Sequence, residues 1–480
     1  MPLPALRELP RGLVPLPDES LPGLLLRLSY RLERTPFRIA FLCGLHKRYR
    51  IPHTHLLNLD DELSAQVSRR LRLSSEETKS LTLSSLADTY TPLATMASMP
   101  AGRRRAGPTS GANWAFNLSS RFCPQCLRGD GSPVQETLGG PWKLNWHLPT
   151  NLVCPVHHRL LKSKCPACGQ SINGLMGARF SLIGSPGVAD LHPVQCRNLL
   201  TSNGSRKYIR TCGAVLSEIC GTEGEGLGVE DIKQLGALKQ RLAQKLGGGS
   251  LDGQNEKYFQ DLILSTIVIK LSWPLPASLL PSAALQEILR AYAEPISAHA
   301  AATRRATPDT VGRLVGPRNP PPQDVASCGA LLLAAEALLG DRDAVPLRDR
   351  VQPLARVAYE RAREYLKNLT PSMGVSPAMA RATSQRNPPF PAGSTSRPSN
   401  VEKSFQLQNV PAFLPEHWYD THFSDFPKQM SRTTRGTARQ LRRATSLRLA
   451  EIISGQPWYR CTDELGIPRK AARGTIRHLG

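Results

Sequence analysis

The chain has 480 residues and carries 61 Lys and Arg against 38 Asp and Glu, a formal charge of +23 at pH 7. That length accommodates about three domains, and an excess of basic charge this large attracts polyanions, nucleic acid first among them. The longest aliphatic stretch, residues 262–269, ends at Lys270 and is far short of the roughly 20 residues of a membrane span, which excludes a membrane-spanning reading.

Residues 1–113 read as a helical region. No secretory signal is visible at the N-terminus, so a cytoplasmic, nucleoid-associated protein is expected. In "ESLPGLLLRLSYRLERT" Leu21, Leu24, Leu25 and Leu28 recur at helical spacing, with Arg27, Arg31 and Arg34 expected to face elsewhere. Asp18, Glu19 and Ser20 supply start signals and Pro22 suits a first turn. Short helices are predicted in "DDELSAQVSRRLR" and "SSEETKSLTLSSLA", and residues 99–113, rich in Gly, Pro and Arg, read as an exposed loop.

Residues 114–221 hold eight of the chain's 11 cysteines. In a cytoplasmic chain thiols stay reduced, and clustered cysteines are more often metal ligands than disulfides. A structural zinc takes four sulfur or nitrogen ligands, delivered as two close pairs from separate loops. Cys123 and Cys126 in "CPQC" make one pair, and Cys154 and His157 in "CPVH" make its partner, separated from it by 27 residues. His158 competes with His157 but breaks the two-residue spacing. Cys165 and Cys168 in "CPACG" open a second site, completed by Cys196 and Cys212, with Cys220 a spare candidate. The 15 residues between Cys196 and Cys212 are a loose spacing, and "LLTSNGSRKYI" within them reads as an inserted hairpin. Two structural Zn2+ ions are expected. No His-Glu-x-x-His or deaminase-type motif is present, Glu136 is a lone carboxylate between ligand pairs, and no catalytic residue is expected.

Residues 222–370 read as a helical middle domain. "DIKQLGALKQRLAQKLGGGS", "NEKYFQDLILSTIVIKLSW", "SAALQEILRAYAEPISAHAAATRR", "SCGALLLAAEALLG" and "VQPLARVAYERAREYLKNL" are its predicted helices. Residues 371–408 are expected to be a flexible linker, most clearly over 376–400, where large apolar residues are few.

Residues 409–480 read as a basic helix-turn-helix-like region. From Ser431 onward there are eleven Lys or Arg and only three acids. Leu447, Ala450 and Ile453 define an apolar face, Gly455 ends that helix, and a short helix is predicted over residues 457–465. Gly466 and Pro468 would then turn the chain into a last helix carrying Arg469, Lys470, Arg473, Thr475 and Arg477, candidates for guanine edges and phosphates in a major groove. A merely solvent-facing basic helix is the alternative.

The stretches "RFCPQCLRGDG" and "WKLNWHLPTNLVCPVHHRLLKSKCPACGQSI" together resemble the core of the TniQ family, which includes target selectors of bacterial transposons. Trp142, Leu144 and Trp146 fit the family's Trp-x-Leu-x-Trp segment and would form a small core beside the metal. "PLPDESLPGLLLRL" resembles the family's opening helix, with Gly23 and Leu24 where Ser and Trp are usual. The resemblance covers about 15–220, and less fully 409–480. It implies a DNA-binding transposition accessory protein that selects or marks a target site. Such a protein binds double-stranded DNA and recruits an AAA+ ATPase transposition regulator, and through it a transposase. Some relatives instead ride on an RNA-guided complex; the length and basic C-terminal end here favour direct DNA contact. A stand-alone zinc-containing transcriptional regulator is the competing reading, and a homodimer is compatible with either. The fold expected is mainly α with small zinc-ribbon-like modules: an N-terminal helical region, tandem zinc modules, a helical middle and a C-terminal helix-turn-helix.

Overall fold

The computed structural model describes residues 9, 12–46, 51–97, 114–117, 119–172, 182–201, 208–218, 226–247, 254–302, 320–340, 346–383, 410–415, 437–454, 458–465 and 467. The chain divides into two compact units, residues 1–385 and 386–480. The architecture is mainly α, with one short two-stranded sheet among the described residues. No described helix is long and apolar enough to cross a membrane.

The first unit opens with α1 (Leu21–Arg31), whose start is set by Ser20: its hydroxyl accepts from the Gly23 amide, and Pro22 occupies the first turn. Leu21, Leu24, Leu25 and Leu28 are all buried, as their spacing predicts. Arg27 corrects the expectation. It is 1% exposed and forms a buried ion pair with Glu19. The preceding loop folds over it, so that Arg27 also donates to the Val14 carbonyl (3.1 Å) while Glu19 accepts from the Leu16 amide (3.0 Å). Pairing offsets the large cost of burying either charge alone. Helices α2 (Pro36–Leu42), α3 (Thr54–Leu57), α4 (Asp61–Leu71), α5 (Ser75–Ser80) and α6 (Thr91–Ala97) follow. Asp60 caps α4 through the Leu63 amide (2.9 Å). A reciprocal box between Ser74 and Glu77 starts α5. Residues 99–113 lie outside the described residues.

After the short helices α7 (Pro124–Arg128) and α8 (Pro133–Leu138) and the hairpin β1 (Leu199–Thr201) and β2 (Tyr208–Thr211), a helical bundle is built from α9 (Val229–Leu246), α10 (Gln254–Ser272), α11 (Ala283–Ala302), α12 (Val325–Leu339) and α13 (Leu347–Ser372). Leu235, Leu238, Leu242 and Leu246 put one buried stripe on α9. Helix α12 is buried nearly all round, as a run rich in Ala and Leu permits, and Asp324 caps it through the Ser327 amide (2.6 Å). The C-terminal end of α10 is closed from another helix: Arg361 of α13 donates to the Leu271 (2.9 Å) and Trp273 (2.8 Å) carbonyls. Helix α13 kinks at the next residue, Ala362.

The first part of the expected linker is helical. Residues 371 and 372 finish α13, and Pro377–Thr383 form α14, with Met379, Ala382 and Thr383 buried and the Ser376 amide donating to Asp261 (2.8 Å). Small residues let a short helix seat closely against α13, a packing that a count of large apolar residues overlooks. Residues 384–409 lie outside the described residues.

In the second unit α15 (Thr437–Ser454) and α16 (Trp458–Glu464) pack around Leu447, Ala450, Cys461, Val410 and Ile467. Glu451 ties the two helices: its carboxylate accepts from the Trp458 amide at 2.6 Å. The predicted second helix is therefore present. Arg469, Lys470, Arg473, Thr475 and Arg477, with the turn residues Gly466 and Pro468, lie outside the described residues.

Candidate metal centres

Four turns of backbone present the cysteines. Cys123 is extended and Pro124 starts α7, so that the Leu127 amide reaches back to the Cys123 carbonyl (3.0 Å). Opposite it, the Cys154 amide donates to the Arg159 carbonyl and the His158 amide to the Cys154 carbonyl, both at 2.9 Å, closing a tight knuckle. Paired amide–carbonyl bonds between Phe122 and Lys162, 2.8 and 2.7 Å, hold the two knuckles in register.

Cys123, Cys126, Cys154 and His157 thereby converge with all ligand atoms within 4.8 Å of one another. The His157 Nδ1 lies 3.4, 3.3 and 3.5 Å from the sulfurs of Cys123, Cys126 and Cys154, and the Cys126 and Cys154 sulfurs are 3.5 Å apart. A tetrahedral zinc with ~2.3 Å bonds to sulfur has edges of about 3.8 Å between sulfurs, and these separations suit it. His158 is exposed and stays outside the cluster. Glu136 is exposed on α8 and joins neither group.

The second cluster is Cys165, Cys168, Cys196 and Cys212. The Gly169 amide donates to the Cys165 carbonyl (2.7 Å) in a turn that needs the positive φ of Gly169, +67°. Cys196 and Cys212 stand at the two ends of the β1–β2 hairpin. Their backbones pair across it, with the Cys196 amide on the Ala214 carbonyl and the Cys212 amide on the Asn198 carbonyl, each 2.8 Å. The loose 15-residue spacing thus holds the paired strands β1 and β2. Sulfur separations are 3.8 Å for Cys165–Cys212 and 3.9 Å for Cys168–Cys196. Cys220 lies outside the described residues.

Thiols this close cannot all ionise on their own. Hydrogen bonds with Cys123 and Cys154 push Cys126 far above the ordinary thiol range, while hydrogen bonds with Cys123 and Cys126 hold Cys154 far below it. Burial raises Cys196 strongly. Only a cation among them allows three or four thiolates together, and zinc fits the donor set, the spacing and the four-fold count. Four side chains fill a tetrahedral ion, leaving no position for a reacting water.

The surroundings are built for these clusters. Trp142, Leu144 and Trp146 are buried, as their pattern implies; the Trp142 and Trp146 rings meet edge-on at 6.2 Å, and Phe122 lies 6.1 Å from Trp142. Trp142 also joins the two clusters, donating from its indole to the Pro193 carbonyl (2.9 Å). The opening of α1 is hydrogen-bonded to this segment, Ser20 amide to Trp142 carbonyl (2.8 Å) and Leu144 amide to Asp18 carbonyl (2.7 Å). Three further residues escape a reading based on ligand spacing. Asn198 donates its amide to the Cys168 sulfur (3.4 Å). Arg121, two positions before Cys123, donates to the Pro149 (2.8 Å) and Asn151 (2.9 Å) carbonyls. At Gly140 a Cβ would stand 1.9 Å from the Cys126 carbonyl oxygen, so only glycine lets the chain pass the knuckle. The "GG" before Trp142 is the one sequence signal for it.

The TniQ family model matches residues 10–161, which takes in all of the first cluster and ends before Cys165. No curated protein and no solved structure matches the chain.

Proposed function

We propose, from the match of residues 10–161 to the TniQ family model, that this chain is a transposition-associated protein of that family, a non-catalytic, DNA-binding accessory protein. In this reading it selects or marks a target site on double-stranded DNA and recruits an AAA+ ATPase regulator, which brings the transposase. The two clusters each take one Zn2+ ion, held by Cys123, Cys126, Cys154 and His157 and by Cys165, Cys168, Cys196 and Cys212. The ions act structurally: loop-rich modules this small bury too little apolar surface to fold alone, and metal binding supplies the difference. The DNA contact is assigned to the basic C-terminal end, through Arg469, Lys470, Arg473, Thr475 and Arg477.

One observation carries the reading: a TniQ domain whose cysteine knuckles close into a saturated four-ligand cluster. The chain should bind duplex DNA without cutting or joining it. Nuclease or strand-transfer activity that survives purification and vanishes on replacing acidic residues of this chain would overturn the adaptor role.

A further inference from the structure

Residues 148–152 connect the first cluster to the helical bundle. Arg121 is 1% exposed, sits two positions before Cys123 and grips the Pro149 and Asn151 carbonyls. From there the chain runs through Leu152, fully buried, to Cys154. The other side of the same stretch meets α12. The Cys328 thiol donates to the Pro149 carbonyl (3.6 Å). Beside it Gly329 offers bare backbone: a Cβ there would stand 3.3 Å from Leu152 Cδ1 and 2.8 Å from Leu235 Cδ2 of α9. Leu152 therefore fills a seat formed by two bundle helices while its neighbours are held by the residue that leads into the knuckle.

We propose that the first metal centre and the bundle are coupled through residues 148–152, so that the bound ion tightens the seating of α9 and α12, and that seating slows the ion's escape. The proposal rests on the reading of the first cluster as a metal centre. The ion's binding energy is the folding energy of its knuckles. When the knuckles open, Arg121 loses its fixed base at Phe122–Lys162, the 149–151 carbonyls lose their clamp, and Leu152 is no longer held against Gly329. Coupling of this kind is reciprocal. The second cluster draws no ligand from this stretch and serves as an internal control.

The test uses the full zinc-loaded chain and follows release of both ions to a chromogenic chelator. Alkylation of Cys154 against Cys196 assigns each phase. Leu152→Ala thins the contact without a clash, and Gly329→Val forces the Leu235 side apart. Each should speed release from the first cluster about fivefold or more and leave the second unchanged. In the wild type, stripping the ions should raise amide hydrogen exchange across residues 325–333, a readout that needs no variant to fold. Unchanged release from the first cluster in both variants, or unchanged exchange over 325–333 after its ion is removed, overturns the coupling while leaving the metal centre intact. A folded, reduced wild type that carries no zinc overturns the metal reading itself.

Discussion

Asn198 donates its side-chain amide to the Cys168 sulfur at 3.4 Å and to the Ser171 carbonyl at 3.1 Å. It thereby ties the hairpin half of the second cluster to the knuckle half. A donor to a ligating thiolate steadies both its charge and its direction, and loss of such a partner typically costs 10–100-fold in metal affinity. Asn198→Ala should weaken one of about two bound zinc ions by roughly that factor. Competition with a calibrated chelator measures it, and a second-cluster affinity unchanged from wild type would contradict the assignment.

The Arg27–Glu19 pair predicts an asymmetric double-mutant cycle. Arg27→Ala leaves the Glu19 carboxylate buried without its cation, at a cost of about 3–5 kcal/mol. Joint replacement by apolar residues of similar volume, Arg27→Met with Glu19→Leu, should recover most of that loss. Urea unfolding midpoints measure it. A single variant costing less than ~1 kcal/mol, the range of an exposed pair, would mean that the loop does not close over Arg27.

His147 makes the first unit sensitive to acid. Burial holds its imidazole down to about 4, and Nδ1 donates to the Asn117 carbonyl at 2.9 Å. The unfolded ring takes its proton near 6.5, so between those values the unfolded chain binds more protons than the folded one. Stability from this group is complete above about 6.5 and is lost as pH falls toward about 4, at up to ~1.4 kcal/mol per pH unit. His147→Gln should be less stable at pH 7 yet lose less between pH 7 and pH 5, compared with wild type at equal zinc loading. Parallel pH profiles would contradict the buried neutral ring.

At the C-terminal end, a phosphate contact and a base contact leave different signatures. Lys470→Ala should weaken all sequences alike and flatten the salt dependence by about one unit of slope. Arg473→Ala should cost about 1–3 kcal/mol and relax preference at one position. A chain truncated after Gly455 should lose most of its affinity. Equal affinity and salt slope in the truncation would move the contact to the N-terminal helices or the metal modules.

Much of the candidate site is legible in the sequence because metal ligation demands local spacing: two-residue pairs at 123–126, 154–157 and 165–168 announce knuckles before any fold is known. The strand pair between Cys196 and Cys212 answers to the hairpin expected of that stretch, although pairing its ends with Cys165 and Cys168 takes the tertiary fold. Arg27 and Gly140 show where such reading stops. Helical period places Arg27 beside the apolar stripe but says nothing of the loop that buries it. Gly140 matters because a carbonyl 14 positions earlier passes within reach of its missing Cβ. Helix α14 hides for a related reason, since Met379, Ala382 and Thr383 form a stable contact only through what they touch.

The adaptor role makes its sharpest statement about a third molecule. With an AAA+ ATPase transposition regulator, taken from the neighbourhood of this chain's gene if one is encoded there, labelled and mixed with target DNA in ATP, retention of the ATPase on that DNA should rise several-fold when the zinc-loaded chain is present. Retention should return to background with the chain truncated after Gly455. Retention that is the same with and without the chain, on DNA that the chain itself demonstrably binds, would contradict recruitment and favour a stand-alone DNA-binding regulator.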